Sequence, residues 1–184
     1  MSDYANSVLS EEQFVEMSVP LTGFHPEDLY ATGMVEKYRD TLVERIGPGR
    51  AIDLYTHYES VGKETTALGR EFYIPDPPPW PQDVLLADAA RAVVKMWYVG
   101  AWYGLTSSAG EAKLREEQNA YADVVPALPN VAFMVSPDAY VNGLVWKLSG
   151  GHPPGAKPTG YGSWSAEPAP IPATPTGPYE EAGQ

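Results

Sequence analysis

The chain contains no cysteine, and this absence excludes several classes of protein at once. Disulfide frameworks, thiolate metal sites, covalent haem attachment and cysteine nucleophiles all require a thiol. Histidine is also scarce, with 3 residues in 184, at positions 25, 57 and 152. A histidine-based metal or catalytic centre would therefore have to be built from very few candidates.

Basic residues are few as well. The 12 Lys and Arg residues stand against 24 Asp and Glu, which gives a formal net charge of −12. Nucleic acids and anionic membrane surfaces are bound by clusters of lysine and arginine, and the sequence contains no such cluster. We therefore expect no nucleic acid partner, and the acidic balance favours solubility or a partner of complementary charge.

Long apolar runs are missing too. The most apolar stretch, residues 92–105, is too short to span a bilayer and contains Lys95, so direct insertion into a membrane is not expected. The opening residues MSDYANSVLSEEQ show neither a secretory pattern nor the paired arginines of a twin-arginine signal. The sequence as it stands predicts a cytoplasmic protein, or a periplasmic one if a signal segment was removed.

Helical patterns dominate the first quarter of the sequence. The run Ser10-Glu11-Glu12-Gln13 is a capping box, which predicts a first helix that should end before Pro20. Pro26 suits the first position of a second helix, and one apolar face continues from there to Ile46. We predict this second helix to be continuous.

Helical patterns continue through the middle of the chain. Residues 51–61 fit a helix slightly better than a strand. Asp83 should cap a helix that is apolar on nearly every side, from Val84 to about Tyr103, and such a helix belongs in the middle of a bundle. Residues 111–123 predict an exposed helix, and residues 136–148 a last one. The expected fold is all-α, an irregular bundle of four to five helices over residues 1–150.

Residues 151–184 have a different composition, rich in proline and glycine, and cannot form a core of their own. They nevertheless carry Tyr161 and Trp164. Burying one such ring stabilises a contact by about 2–3 kcal/mol before ordering costs, and proline-stiffened segments lose less entropy on docking. The segment is therefore predicted to be an extended C-terminal arm that docks on a partner or, alternatively, on a second copy in a self-associating scaffold. A disordered tail with incidental aromatic residues is the other interpretation.

Few residues suggest chemistry. Asp53 and His57 are four residues apart and would share a helix face. Such a pair could bind a metal ion or act as an oriented general base, and together with Glu59 it would suit a stand-alone helical enzyme. A surface hydrogen bond is the simpler interpretation, because no third ligand follows at a recognisable spacing. The carboxylate pairs Glu116/Glu117 and Asp83/Asp88 are interpreted as solvated faces.

Three segments together resemble a known family. They are FVEMSVPLTGF at residues 14–24, AARAVVKMWYVGAWYG at residues 89–104, and YVNGLVWKLSGGHPPGAKPTGYGSWSAEP at residues 140–168. Their motifs and order are similar to the small subunit of bacterial FAD-dependent sugar and polyol dehydrogenases, of the sorbitol, fructose and glucose dehydrogenase type. The small subunit of gluconate dehydrogenase is a more distant relative of that pattern.

The resemblance implies a helical, non-catalytic subunit bound to a large GMC-type flavoprotein. That partner would carry the FAD and the catalytic histidine and would oxidise a sugar, glycoside or polyol, so no catalytic, cofactor-binding or metal residue is expected in this chain. The chain departs from the family pattern in having no twin-arginine signal and no cysteine in the closing loop. The residues expected at the partner interface are Trp97, Tyr98, Trp102, Tyr140, Trp146, Tyr161, Trp164 and Pro168. For the aromatic residues within 95–105, packing in the core of this chain is the alternative.

Overall fold

The structure is a computed structural model that describes residues 9–67, 80–119, 128–151 and 153–154. Within these ranges the chain forms eight helices and one pair of short strands, so the predicted all-α fold is confirmed. None of these helices combines the length and apolar character needed to cross a bilayer. The elements are α1 (Glu11–Thr22), α2 (Pro26–Ala31), α3 (Val35–Ile46), α4 (Pro48–Ala67), α5 (Val84–Val99), β1 (Ala101–Trp102), α6 (Ser108–Asn119), β2 (Phe133–Met134), α7 (Pro137–Val141) and α8 (Leu144–Ser149).

The apolar helix predicted for the middle of the bundle is α5. It packs against α1, α3, α4 and α6, and also against α7, α8 and β1. Most of its residues are buried, and its first turn is capped by Asp83, which accepts hydrogen bonds from the amides of Leu85 and Leu86 at 2.9 and 3.3 Å. A helix surrounded on most sides needs apolar residues on most sides, which is the pattern read from the sequence.

The capping box predicted at the start of α1 is confirmed. The Gln13 amide donates to Ser10 Oγ at 3.1 Å, and the Ser10 amide donates to Gln13 Oε1 at 2.9 Å. The predicted end before Pro20 is wrong, since α1 continues through Pro20 to Thr22. The proline lies in the last turn of a helix whose apolar face is buried, so packing outweighs one missing backbone hydrogen bond.

Three other predicted helices end or break earlier than expected. The continuous helix over residues 26–46 is divided into α2 and α3 at Gly33, whose φ of 67° is left-handed. The helix starting at Val84 ends at Val99 because Gly100 takes a left-handed φ of 74°. The helix predicted over residues 136–148 is divided into α7 and α8 at Gly143. In each case the helix gives way at a glycine, the residue with the lowest helix propensity after proline.

The residues after Gly100 form the strand pair. Ala101 pairs with Met134 and Trp102 with Phe133 in an antiparallel arrangement. The Val135 amide donates to the Gly100 carbonyl at 3.0 Å, which extends the same ladder. This small sheet holds the segment before α7 against the end of α5. The proposed division into a helical domain and an arm stays a prediction, because residues beyond 154 lie outside the described ranges.

A group of charged side chains joins α4, α5 and α6. Arg50 Nε donates to Glu117 Oε2 at 2.9 Å, and Arg50 Nη1 lies 3.5 Å from Asp53 and 3.6 Å from Asp83. Asp83 also accepts a hydrogen bond from Lys113. Partial burial raises the pKa of Asp83, but the hydrogen bonds from Lys113 and from the first amides of α5 outweigh this and keep the pKa below its ordinary value.

This arrangement predicts a loss of stability in acid. Because the pKa of Asp83 is lower in the folded chain than its ordinary value of 3.8, the stabilisation is fully present above that value and is lost as pH falls through the folded pKa. Asp83→Asn keeps a good N-cap but removes the charge, and should cost up to about 1 kcal/mol at neutral pH while flattening the acid slope. Thermal unfolding of both proteins from neutral to acidic pH checks this, and an equally steep slope in the variant would contradict it.

Candidate partner-binding surface

The described parts of the three segments that carry the family resemblance meet at the carboxyl end of α5. Tyr98 of α5 donates its hydroxyl proton to the carbonyl of Thr22 at 2.8 Å, at the end of α1. The ring of Phe24 packs edge-on against Tyr98, with centroids 6.1 Å apart. The turn between α7 and α8, at Gly143, lies against the backbone of Tyr98. Segments distant in the sequence therefore form one surface.

Two glycines allow this close approach. A side chain on Gly100 would overlap the carbonyl of Ala139 and would place its Cβ 2.7 Å from the amide nitrogen of Tyr140. A Cβ on Gly143 would lie 2.7 Å from the carbonyl oxygen of Tyr98. In real proteins a Cβ atom essentially never comes within 3.0 Å of a heavy atom from a residue that is not its neighbour in the chain. Both glycines are therefore needed for α7 and α8 to sit on the end of α5.

Tyr140 and Trp146 form the part of the surface contributed by α7 and α8. Their rings pack edge-on with centroids 5.5 Å apart, and Trp146 Nε1 donates to the Tyr140 carbonyl at 2.8 Å. The Tyr140 hydroxyl donates to the carbonyl of Pro154 at 3.1 Å. The chain therefore passes beside Tyr140 as it leaves the described part towards the proposed arm.

We call the four half-buried aromatic residues Phe24, Tyr98, Tyr140 and Trp146 the junction cluster. Lys147 lies at its edge, paired with Asp28 and 5.7 Å from the centre of the Phe24 ring. The hydrogen bond from Lys147 lowers the pKa of Asp28, so the pair is charged at neutral pH. Each residue of the cluster is partly exposed and packs against another aromatic ring of the cluster, and aromatic residues are enriched at protein interfaces.

The structure corrects two of the residues predicted at the interface. Trp97 is fully buried, stacked on Phe14 with centroids 5.8 Å apart and edge-on to Tyr38 at 5.0 Å. Its Nε1 donates to Ser18 Oγ at 2.9 Å. Trp102 is 1% exposed. Both side chains belong to the core of this chain because their positions face the interior, and neither has a surface to offer a partner.

Of the other predicted interface residues, Tyr98, Tyr140 and Trp146 are brought together in the junction cluster. Tyr161, Trp164 and Pro168 lie outside the described residues. Phe24, Tyr103 and Leu148 were not among the residues predicted at the interface, although Tyr103 and Leu148 are 49% and 61% exposed. Trp102 and Tyr103 are adjacent, yet Trp102 is buried and Tyr103 is exposed, and both lie beyond the end of α5 at Val99.

The candidate enzyme residues have other contacts. Asp53 pairs with Arg50 rather than standing alone, and the His57 ring packs edge-on against Tyr58 with centroids 4.9 Å apart. Burial, together with Glu16 and Glu59, raises the pKa of Tyr55 to about 12. Within the described ranges no group of three or more His, Cys, Asp or Glu residues could hold a metal ion.

The interpretation of the carboxylate pairs as solvated faces is wrong for Asp88, which is 2% exposed. Asp88 accepts hydrogen bonds from the Ser107 hydroxyl, from the Ser107 amide at 2.9 Å and from Arg91 at 3.1 Å. Ser107 Oγ in turn accepts from the Gly110 amide at 3.0 Å, so Asp88 fixes the start of α6 on α5. A buried carboxylate with several donors is a structural anchor.

Removing the Tyr98 hydroxyl should weaken the junction cluster measurably. Burial raises the pKa of Tyr98, so the hydroxyl remains a proton donor to the Thr22 carbonyl. Tyr98→Phe keeps the ring against Phe24 but deletes this bond, and should cost about 0.5–1.5 kcal/mol in the free energy of unfolding. Urea denaturation measures the cost, with the exposed Tyr103→Phe as a control that should change little. Equal effects of the two variants would contradict the role of the bond.

Comparison with protein-family models, with curated proteins and with solved structures gave no match for this chain. The resemblance to dehydrogenase small subunits therefore rests on the quoted segments alone. That these segments lie together in the junction cluster is an observation that does not depend on the resemblance.

Proposed function

We propose that this chain is a non-catalytic small subunit that binds and stabilises a GMC-type FAD-dependent dehydrogenase of sugars, glycosides or polyols. The observation that supports it most is the meeting of the three resembling segments at one end of α5. All three contribute side chains to the junction cluster, through Phe24, Tyr98 and Trp146. If a family shares several segments because they form one interface, those segments are expected to lie close together in the fold.

The junction cluster suits the recognition of a large protein. Tyrosine and tryptophan supply broad contact areas with few rotatable bonds, and they are frequent among residues that dominate binding. Here the hydroxyl of Tyr98 and the indole of Trp146 are already fixed by hydrogen bonds to Thr22 and Tyr140. Binding of a partner would therefore cost little side-chain entropy on this surface, because these side chains are already ordered.

The proposal places all chemistry in the partner. FAD and the hydride transfer from a substrate hydroxyl to the flavin would belong to the large subunit, and this chain would supply structural support. The charged residues that join α4 to α6 fit a structural role, since Arg50, Asp83 and Glu117 are engaged with one another. The proposed location of the complex is the cytoplasm.

Purification of the tagged chain from its native cell tests the proposal. We expect a yellow complex with flavin absorbance and, by mass spectrometry, a stoichiometric GMC-type flavoprotein. Adding a sugar or polyol should bleach the flavin in that complex and should leave the isolated small chain unchanged. A colourless chain that purifies alone would overturn the proposal, and a colourless homo-oligomer would overturn it in favour of the self-associating scaffold.

The arm supplies a sharper prediction within this proposal. Trp164→Ala should weaken the complex by about 30-fold, corresponding to about 2 kcal/mol for an interface anchor, while leaving the unfolding temperature of the isolated chain unchanged. Ser163→Ala, at the neighbouring position, is the matched control and should bind as the wild type does. Titration of the purified large subunit with each variant gives the dissociation constants. Unchanged affinity of the Trp164 variant would remove the arm from the interface.

A further inference from the structure

The exposed side of α5 carries two basic residues one helical turn apart. The Arg91 guanidinium lies over the Trp80 ring at 4.9 Å, and the Lys95 ammonium lies 5.3 Å from the centre of the Tyr103 ring. The Arg91 side chain is 44% exposed and Tyr103 is 49% exposed. We call Trp80, Arg91, Lys95 and Tyr103 the α5 cationic face.

This face stands out in a chain with a net charge of −12. Among the basic side chains that the structure describes, Lys95 is the one without an oxygen partner. Arg91 contacts a single carboxylate, that of Asp88, which is buried and already accepts two bonds from Ser107. The face therefore has positive charge and aromatic surface available for an acidic segment that also carries a ring.

We propose that residues Tyr179, Glu180 and Glu181 of the same chain dock on the α5 cationic face. The two carboxylates would pair with Arg91 and Lys95, and the Tyr179 ring would cover Tyr103. The described chain ends at Pro154, 25 residues before Tyr179. A tether of that length reaches about 28 Å as a flexible coil and about 78 Å when extended, against a radius of gyration of about 16 Å for a domain of this size.

The tether favours this occupant over any separate molecule. A tether whose reach matches the size of the domain holds its end at an effective concentration near the millimolar range, at which weak charge pairs can form. The surface of the chain is acidic overall and would repel the acidic tail at most places. On the α5 cationic face the tail would instead meet two cations. The inference concerns the isolated chain and does not depend on the proposed flavoprotein.

Zero-length carbodiimide coupling of the full-length protein tests this contact, because it joins an amine to a carboxylate only where the two meet. We expect an amide between Lys95 and Glu180 or Glu181 in the monomer fraction, identified by digestion and mass spectrometry. Its yield should fall severalfold as salt is raised, since screening weakens exposed pairs. A yield that does not respond to salt, or Lys95 coupled to no residue of the tail, would overturn the proposal.

Two variants retain both coupling partners and separate specific docking from chance contact. Arg91→Gln removes half of the positive charge and should lower the Lys95 coupling about threefold. Arg115→Gln removes an exposed cation from α6 and should leave the coupling unchanged. Equal yields in the two variants would overturn the proposal, as would amides that join isotope-labelled to unlabelled chains, because these would place the tail on a second copy.

Discussion

Replacing Trp97 by alanine is expected to lower the free energy of unfolding by about 3–5 kcal/mol. The indole is fully buried and contacts the rings of Phe14 and Tyr38, so its removal would leave a cavity in the core. The total stability of a domain is about 5–15 kcal/mol, so this variant should lie close to unfolding. Urea denaturation followed by circular dichroism measures the loss.

Two further variants divide this loss into packing and hydrogen bonding. Ser18→Ala keeps the indole but leaves its buried N–H without an acceptor, which should cost about 1–3 kcal/mol. Trp97→Phe keeps an aromatic ring and removes the donor, and should cost less than the alanine variant. A Trp97→Ala variant that is no less stable than Ser18→Ala would contradict the view that this side chain fills the core.

Gly100→Ala is expected to destabilise the chain by about 3 kcal/mol or more. The left-handed φ of 74° alone costs about 1–2 kcal/mol for any residue with a Cβ. The added methyl group would also overlap the carbonyl of Ala139, so α7 would have to move away from the end of α5. If the proposed function holds, the same variant should lose its affinity for the flavoprotein, because Tyr140 lies on α7 and would move with it.

Gly150→Ala is the matched control for this substitution. Gly150 also has a left-handed φ, of 64°, but a Cβ there would meet no heavy atom within 4 Å. This variant should therefore show only the backbone cost of about 1–2 kcal/mol. Thermal unfolding of both variants isolates the contribution of the close approach. Equal losses at the two positions would show that α7 is not held tightly against Gly100.

The helices that the sequence predicts best are those with strong local signals. The capping box at Ser10, the Asp83 cap and the all-round apolar character of α5 each have a local physical cause, and each is found in the structure. Pro20 was misjudged because the packing of α1 outweighs a rule about a single residue. The breaks at Gly33 and Gly143 were missed because a glycine inside an apolar pattern costs only about 1 kcal/mol, which does not by itself decide where a helix ends.

The candidate surface was predicted less completely, for a physical reason. The aromatic residues of the middle segment were recognised, but their directions depend on where α5 stops. Because Gly100 ends the helix, Trp102 turns inward on a strand while Tyr103 turns outward. The buried anchor of Asp88 with Ser107 and the contact between Tyr98 and Thr22 join residues 19 and 76 positions apart, and no local pattern reveals such pairs.

The contacts of α7 and α8 with the first helices have a consequence for the order of folding. Lys37 pairs with Asp138, and Asp28 with Lys147, across 101 and 119 residues of sequence. Contacts of such separation close large loops and form late. During synthesis the junction cluster therefore cannot form until α7 and α8 have left the ribosome and can pack on the helices made earlier. A partner that recognises this cluster would select chains in which α7 and α8 have already packed on α5.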